Sequence, residues 1–150
     1  MPSPETAAIP PGFVPVPLDA GFISHNGPIY VRNGDDLVFG FLVEPHMCNI
    51  AGVCHGGWIA TALDMVMPLT ARLRATLEDR FMLTVNLSVD FLGSPRQGDW
   101  VEGRGQVLRK ANRLVFTQGL LTLNGEPIAR GSSVLKIAGE TAPLDIPRWP

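Results

Sequence analysis

The chain has 150 residues, 45% of them hydrophobic and 17% charged, which is about one globular domain's worth and too apolar for a disordered chain. A formal net charge of −2 gives no basic footprint for nucleic acid. Asp64 and Arg72 interrupt the best apolar run, so no bilayer span is expected, and the first residues lack the basic region and apolar core of a signal peptide; the expected setting is cytoplasmic.

In chain order, Pro2, Pro4, Pro10, Pro11, Pro15 and Pro17 predict an extended lead-in over residues 1–20 without ladder hydrogen bonds. Residues 27–43 read as a hairpin, with Ile29-Tyr30-Val31, an Asn33-Gly34 turn, and a second arm from Leu37 to Val43 apolar enough to be covered on both faces. A loop begins at Pro45 and contains the turn formers Asn49 and Gly52. Gly56-Gly57 then opens a long helix on which Ile59, Leu63, Val66, Met67 and Leu73 recur at helical spacing, with Asp64 as its one acid.

After a polar connector at Glu78-Asp79-Arg80, residues 81–91 alternate without interruption. Phe81, Leu83, Val85, Leu87, Val89 and Phe91 are expected to lie on the helix, and Met82, Thr84, Asn86, Ser88 and Asp90 to face away. Residues 100–108, 114–123 and 128–137 predict three further strands, joined by Arg109-Lys110-Ala111-Asn112 and Asn124-Gly125-Glu126. Gly103 and Gly105 inside a strand imply curvature or a close backbone approach. Pro143, Pro147 and Pro150 put the tail from Thr141 outside the sheet. The architecture is α+β: one curved antiparallel sheet wrapped around one helix over residues 21–138, between Pro-rich ends at 1–20 and 139–150. Its open edges invite pairing with another copy.

The chemistry concentrates near the helix. Gly56 and Gly57 stand where backbone N–H groups lack internal partners and face the positive end of the dipole. A ligand carbonyl can approach there closely, although a tight turn would require the same glycines. Asp64 lies two turns beyond Gly57, too far to serve that terminus within one chain, but within reach of a copy's terminus across a two-fold axis. The alternative for Asp64 is an ion pair with an arginine such as Arg72 or Arg74, or the capping of a loop. Asn49 can position water, and His55 can act as base or orienting donor or can be structural. Thr84 offers a hydroxyl.

His46, Cys48, Cys54 and His55 raise zinc, but their spacing fits no finger pattern and no metal is expected. A Cys54-His55 nucleophile pair is disfavoured because extended neighbours point apart. The two cysteines are too close in sequence for a useful staple. Trp58, Met65, Met67 and Phe81 are either core or the lining of an apolar pocket.

Asn49, Gly52, His55, Gly56 and Gly57, followed by Ala62-Leu63-Asp64, resemble the motif of hotdog-fold acyl-CoA thioesterases of the phenylacetate-pathway (PaaI-like) type. The likeness covers roughly residues 25–138, with the stretches at 84–91 and Ala129-Arg130-Gly131 also familiar. It implies hydrolysis of an acyl-CoA to free acid and coenzyme A, with no cofactor beyond the substrate. It also implies a homodimer, often paired again to a homotetramer, with active sites at the dimer interface. Carried over, the Gly56 N–H polarises the thioester carbonyl and Asp64 of the other subunit activates water or attacks directly. Asn49 and His55 organise the site, Thr84 holds the water, and Gly57 lines the substrate path. A non-catalytic acyl-CoA binder of the same fold is the alternative. Where the family often has glycine before a basic residue in a strand turn, this chain has Lys110-Ala111-Asn112-Arg113; Asn112 can accept the positive φ, and Arg109, Lys110 and Arg113 could meet coenzyme A phosphates.

Overall fold

The computed structural model describes residues 8–150, so Pro2 and Pro4 of the lead-in lie outside the described residues. The elements are β1 (Val14–Pro15), α1 (Phe22–Asn26), β2 (Tyr30–Asn33), β3 (Leu37–Leu42), a 3-10 turn (Pro45–Met47), α2 (Gly56–Arg74), β4 (Arg80–Phe91), β5 (Trp100–Ala111), β6 (Leu114–Leu123) and β7 (Glu126–Glu140). The strands form one antiparallel sheet in the order β1-β2-β3-β5-β6-β7-β4. Among the described residues no helix is long and apolar enough to cross a membrane.

Local chemistry explains this order. Asn124 and Gly125 both take positive φ, 50° and 82°, the conformation of a primed hairpin turn whose twist matches the flanking strands. Asn112 takes φ 56° in the β5–β6 turn, so the asparagine does supply the left-handed residue there. Between β3 and β4 the chain runs through α2, which carries β4 across to the far edge, beside β7.

The sheet closes on α2 because its middle row is glycine. Gly105, Gly119 and Gly131 are paired in register across β5, β6 and β7. A Cβ on Gly105 would lie 2.4 Å from Thr70 Oγ1, and one on Gly119 or Gly131 would lie 3.2 Å from Leu63. The expected close approach is thus helix on strand, and Leu63 and Met67 on α2 are fully buried beneath it.

Two expectations need correction. First, β4 does not alternate cleanly. Its register slips between Thr84 and Asn86, leaving Val85 as an extra residue opposite β7. Met82 and Thr84 therefore face α2 before the bulge and Leu87 and Val89 after it, while Phe81, Leu83 and Val85 are 50%, 52% and 60% exposed.

Second, the Pro-rich lead-in joins the sheet. Val14 and Pro15 pair with β2, Val16 N–H donates to Ile29 O at 2.8 Å, and Phe13 and Val16 are buried. Phe13 packs edge-on to Trp100, which also meets Tyr30, while Phe39 and Phe41 face α2; β3 is thus covered on both faces, as expected. The tail from Thr141 lies outside the strands, as expected, and is docked. Trp149 N–H donates to Asn33 O at 2.9 Å, and Leu144 and Ile146 pack on the core.

Candidate active site

The loop before α2 is held by its own polar groups. Asn49 Oδ1 accepts from Ala51 N–H at 2.9 Å and Val53 N–H at 3.3 Å, an Asx turn that Gly52 completes at φ 72°. Asn49 N–H donates to Val53 O and His55 N–H to Met47 O, each at 2.8 Å, so the loop returns as a narrow ladder leading into the helix.

His55 is the N-cap of α2. Its Nδ1 accepts from Gly57 N–H at 2.8 Å, which places the ring proton of the neutral form on Nε2. Its carbonyl takes Trp58 N–H at 2.9 Å and Ile59 N–H at 3.1 Å. Of the four N–H groups that open the helix, only that of Gly56 finds no acceptor among the described residues. It sits at the positive end of the dipole, against the Phe91 ring, where a Cβ would lie 3.3 Å from the ring edge. Gly57, assigned with it from sequence, already has its N–H occupied.

Asp64 lies on the stripe of α2 that the sheet leaves half open, with Ala60, Thr61, Met65 and Pro68. Thr84 Oγ1–H donates to Asp64 Oδ1 at 2.6 Å, so Oδ1 is held and Oδ2 is free to accept. The arginine alternative fails. Arg72 donates to Glu78 O and Ala142 O, and Arg74 to Asn33 Oδ1 and Gly34 O. Pro68 has no N–H for the Asp64 carbonyl, so the helix ladder is interrupted beside the acid.

Gly56 and Asp64 are eight positions apart on one helix, roughly 12 Å along its axis. One chain therefore presents two separate polar groups, His55 and Gly56 at the helix terminus, with Asn49 on the ladder that leads to it, and Asp64 with Thr84 further along. Arg109, Lys110 and Arg113 are not brought to either. Arg109 and Lys110 lie near the end of β5 and Arg113 in the turn that follows, where Lys110 and Arg113 share a cleft with Ala75 and Thr76 past the C-terminal end of α2.

The remaining candidates resolve differently. His46 Nε2 contacts Asn26 O at 2.9 Å and Gly27 O at 3.1 Å, fastening α1 beside the helix terminus. Among the described residues no three His, Cys, Asp or Glu side chains converge on a metal position. Burial, reinforced by the neighbouring Cys48, pushes the Cys54 thiol up to about 12, which leaves too little thiolate for a nucleophile in turnover. Trp58 and Met67 are core, Met65 is half-buried, and Phe81 faces out from β4, so the four do not line one pocket. Sequence reasoning missed α1. Its Phe22 and Asn26 wall a cleft of about 260 Å³ with His46, His55 and Thr61 at the helix terminus, and five residues are too few for periodicity to reveal.

A curved antiparallel sheet around one long helix, with its polar groups at that helix's terminus and open stripe, is the hotdog fold. The thioesterase superfamily model matches residues 51–126, and the chain belongs to that family, which places it among hydrolases. A Pseudomonas aeruginosa protein with a provisional esterase name is 28% identical over 86% of this chain and 97% of its own. Among solved structures, a variant of the phenylacetic acid degradation protein PaaI from Thermus thermophilus superposes with a TM-score of 0.66 at 16% identity, over 77% of this chain and 97% of that one. A hypothetical thioesterase from Streptococcus pneumoniae, solved with coenzyme A, gives 0.65 at 16% identity, over 76% and 91%.

Proposed function

We propose that the protein is an acyl-CoA thioesterase whose active site is completed by a second copy of the chain. The observation that carries the reading is the N–H of Gly56, the single one at the α2 terminus without an acceptor among the described residues, with a carboxylate on the same helix, held by a threonine hydroxyl, too far away to serve it. A two-fold axis would bring the Asp64 of one subunit to the Gly56 of the other. The free edge and exposed apolar residues of β4, the strand that carries Thr84, favour pairing there. A further pairing of dimers accords with the family resemblance.

In the assembled site the Gly56 N–H donates to the thioester carbonyl and stabilises the oxyanion as it forms. Asp64 Oδ2 takes the proton of an attacking water while Thr84 fixes the carboxylate through Oδ1. The tetrahedral adduct collapses, the C–S bond breaks, and the thiol leaves with a proton while the acid forms. His55 Nε2–H and the Asn49 amide nitrogen are the donors free to orient substrate or water. Arg109, Lys110 and Arg113, at the far end of α2, are proposed to reach the coenzyme A phosphates from the partner chain. No metal takes part in this scheme.

The test is a panel of short-chain, long-chain and aryl acyl-CoAs with thiol release followed in time. Turnover of at least one class supports the reading. Binding without release of thiol would leave a carrier or sensor of the same fold instead.

A further inference from the structure

Cys48 and Cys54 face one another across the ladder that leads into the helix. They form an antiparallel bridge, and the two hydrogen bonds beside it, Asn49 N–H to Val53 O and His55 N–H to Met47 O, flank the pair rather than join it. That is the non-hydrogen-bonded arrangement, in which Cα atoms lie about 4.5 Å apart and side chains leave on the same side. Both cysteines pack into the same core, Cys54 buried and Cys48 half-buried, and both are free thiols. Disulfides span Cα separations of about 4.4–6.8 Å, so the pair lies within bridging range. Six residues of sequence separation make a poor staple, as the sequence indicated, but a staple is not what this placement offers. Asn49 follows one cysteine directly, and His55 and Gly56 follow the other.

We propose that Cys48 and Cys54 are a reversible disulfide site whose closure displaces Asn49 and His55 and slows hydrolysis. The effect on turnover rests on the thioesterase reading; the bond itself does not. The oxidant is a small-molecule disulfide. The Cys48 thiolate attacks it and releases one small thiol, leaving a mixed disulfide on Cys48. The Cys54 thiolate then attacks the Cys48 sulfur and releases the second. Two protein thiols are oxidised, one external disulfide is reduced to two thiols, and the two cysteine protons end on those released thiols. Cys48 is the entry point because it is the more accessible sulfur, its Sγ–H donating only to Glu44 O at 3.5 Å. Burial holds the Cys54 thiol protonated, up to about 12, which makes the second step slow.

A disulfide needs Cβ atoms about 3.8 Å apart, closer than the roughly 4.5 Å at the near end of the cross-strand range, where non-hydrogen-bonded pairs lie. The ladder must therefore draw in by up to about an ångström, and a shift of that size in a catalytic group can cost about 10²-fold. Turnover of the oxidised protein is expected to fall about tenfold or more.

The experiment incubates the protein for hours with excess oxidised glutathione and removes it by desalting. Non-reducing peptide mapping, the Gly56 amide resonance and acyl-CoA turnover are then measured. The expected result is a Cys48–Cys54 crosslink, a displaced Gly56 resonance and slowed turnover, all reversed by dithiothreitol. Cys48→Ser should keep its turnover through the same treatment, and Cys54→Ala should stop at the mixed disulfide on Cys48. The proposal is overturned if both thiols stay free, if Cys48 of the unsubstituted protein stops at a mixed disulfide, or if the crosslink forms with the Gly56 resonance and turnover unmoved. A reduced protein that hydrolyses no acyl-CoA would refute the thioesterase reading instead, while the map and the resonance still decide the disulfide.

Discussion

Thr84→Val removes one hydroxyl and keeps the outline of the side chain. That hydroxyl donates to Asp64 Oδ1 at 2.6 Å, the short distance of a bond to a charged acceptor. Such bonds are worth about 1.5–3 kcal/mol, and solvent at the exposed Thr84 puts this one near the lower end. A loss of about 1.4 kcal/mol in the transition state lowers kcat about tenfold. Because Thr84 acts through Asp64 and not on the substrate, KM should move little. Thr84→Ser restores the donor and should recover most of the rate. Valine suits a strand and the backbone pairing of Thr84 with Leu135 is untouched, so thermal stability should hold. Steady-state hydrolysis of the best acyl-CoA by the three proteins, beside melting curves, is the assay. An unchanged kcat in Thr84→Val, or a loss that serine does not rescue, would refute a positioning role for this hydroxyl.

Asp64→Asn should leave the fold intact and lower turnover at least about 10²-fold, the usual worth of a general base; steady-state rates at wild-type level would remove Asp64 from the mechanism. In Gly105→Ala the new methyl meets Thr70 Oγ1 at 2.4 Å and the Val66 carbonyl at 3.2 Å, so α2 must shift. Denaturant unfolding should show a loss of about 1–3 kcal/mol, and an unmoved midpoint would contradict the close helix–sheet contact. Chelation should leave turnover unchanged, because His46 Nε2 and His55 Nδ1 already have protein partners; activity lost to a chelator and restored by zinc would show otherwise.

Much of the fold was legible because single-residue chemistry dictates it. Gly56 and Gly57 at the head of an apolar run mark the start of α2, and strand alternation and turn residues locate β4 to β7. What the pattern could not convey was the bulge at Val85. A period-two count assumes no extra residue, and by that count Thr84 faces away from the helix. The bulge reverses the parity, and the hydroxyl meets Asp64 from 20 positions away. Sequence reasoning likewise offered Asp64 two nearby arginines, but both guanidinium groups hold backbone carbonyls at the far end of the helix. His55 was legible as a polar residue on the approach to the helix, whereas its N-cap role depends on the ring turning back to Gly57. The proline-rich lead-in misled for a different reason. Proline is tolerated on an edge strand, so Pro15 did not keep Val14 and Val16 from docking beside β2.

The claim of a site shared between chains is tested most directly by mixing two inactive proteins. Asn49→Ala and Asp64→Asn are each purified, unfolded together in equal amounts and refolded, and mass analysis establishes that mixed dimers have formed. With random pairing half the dimers are mixed, and each mixed dimer carries one site with both lesions and one with neither. Acyl-CoA turnover should return to roughly a quarter of the wild-type value per protomer. Mixed dimers that stay at the background of the two parents would mean that each chain holds its own complete site, and would contradict the account.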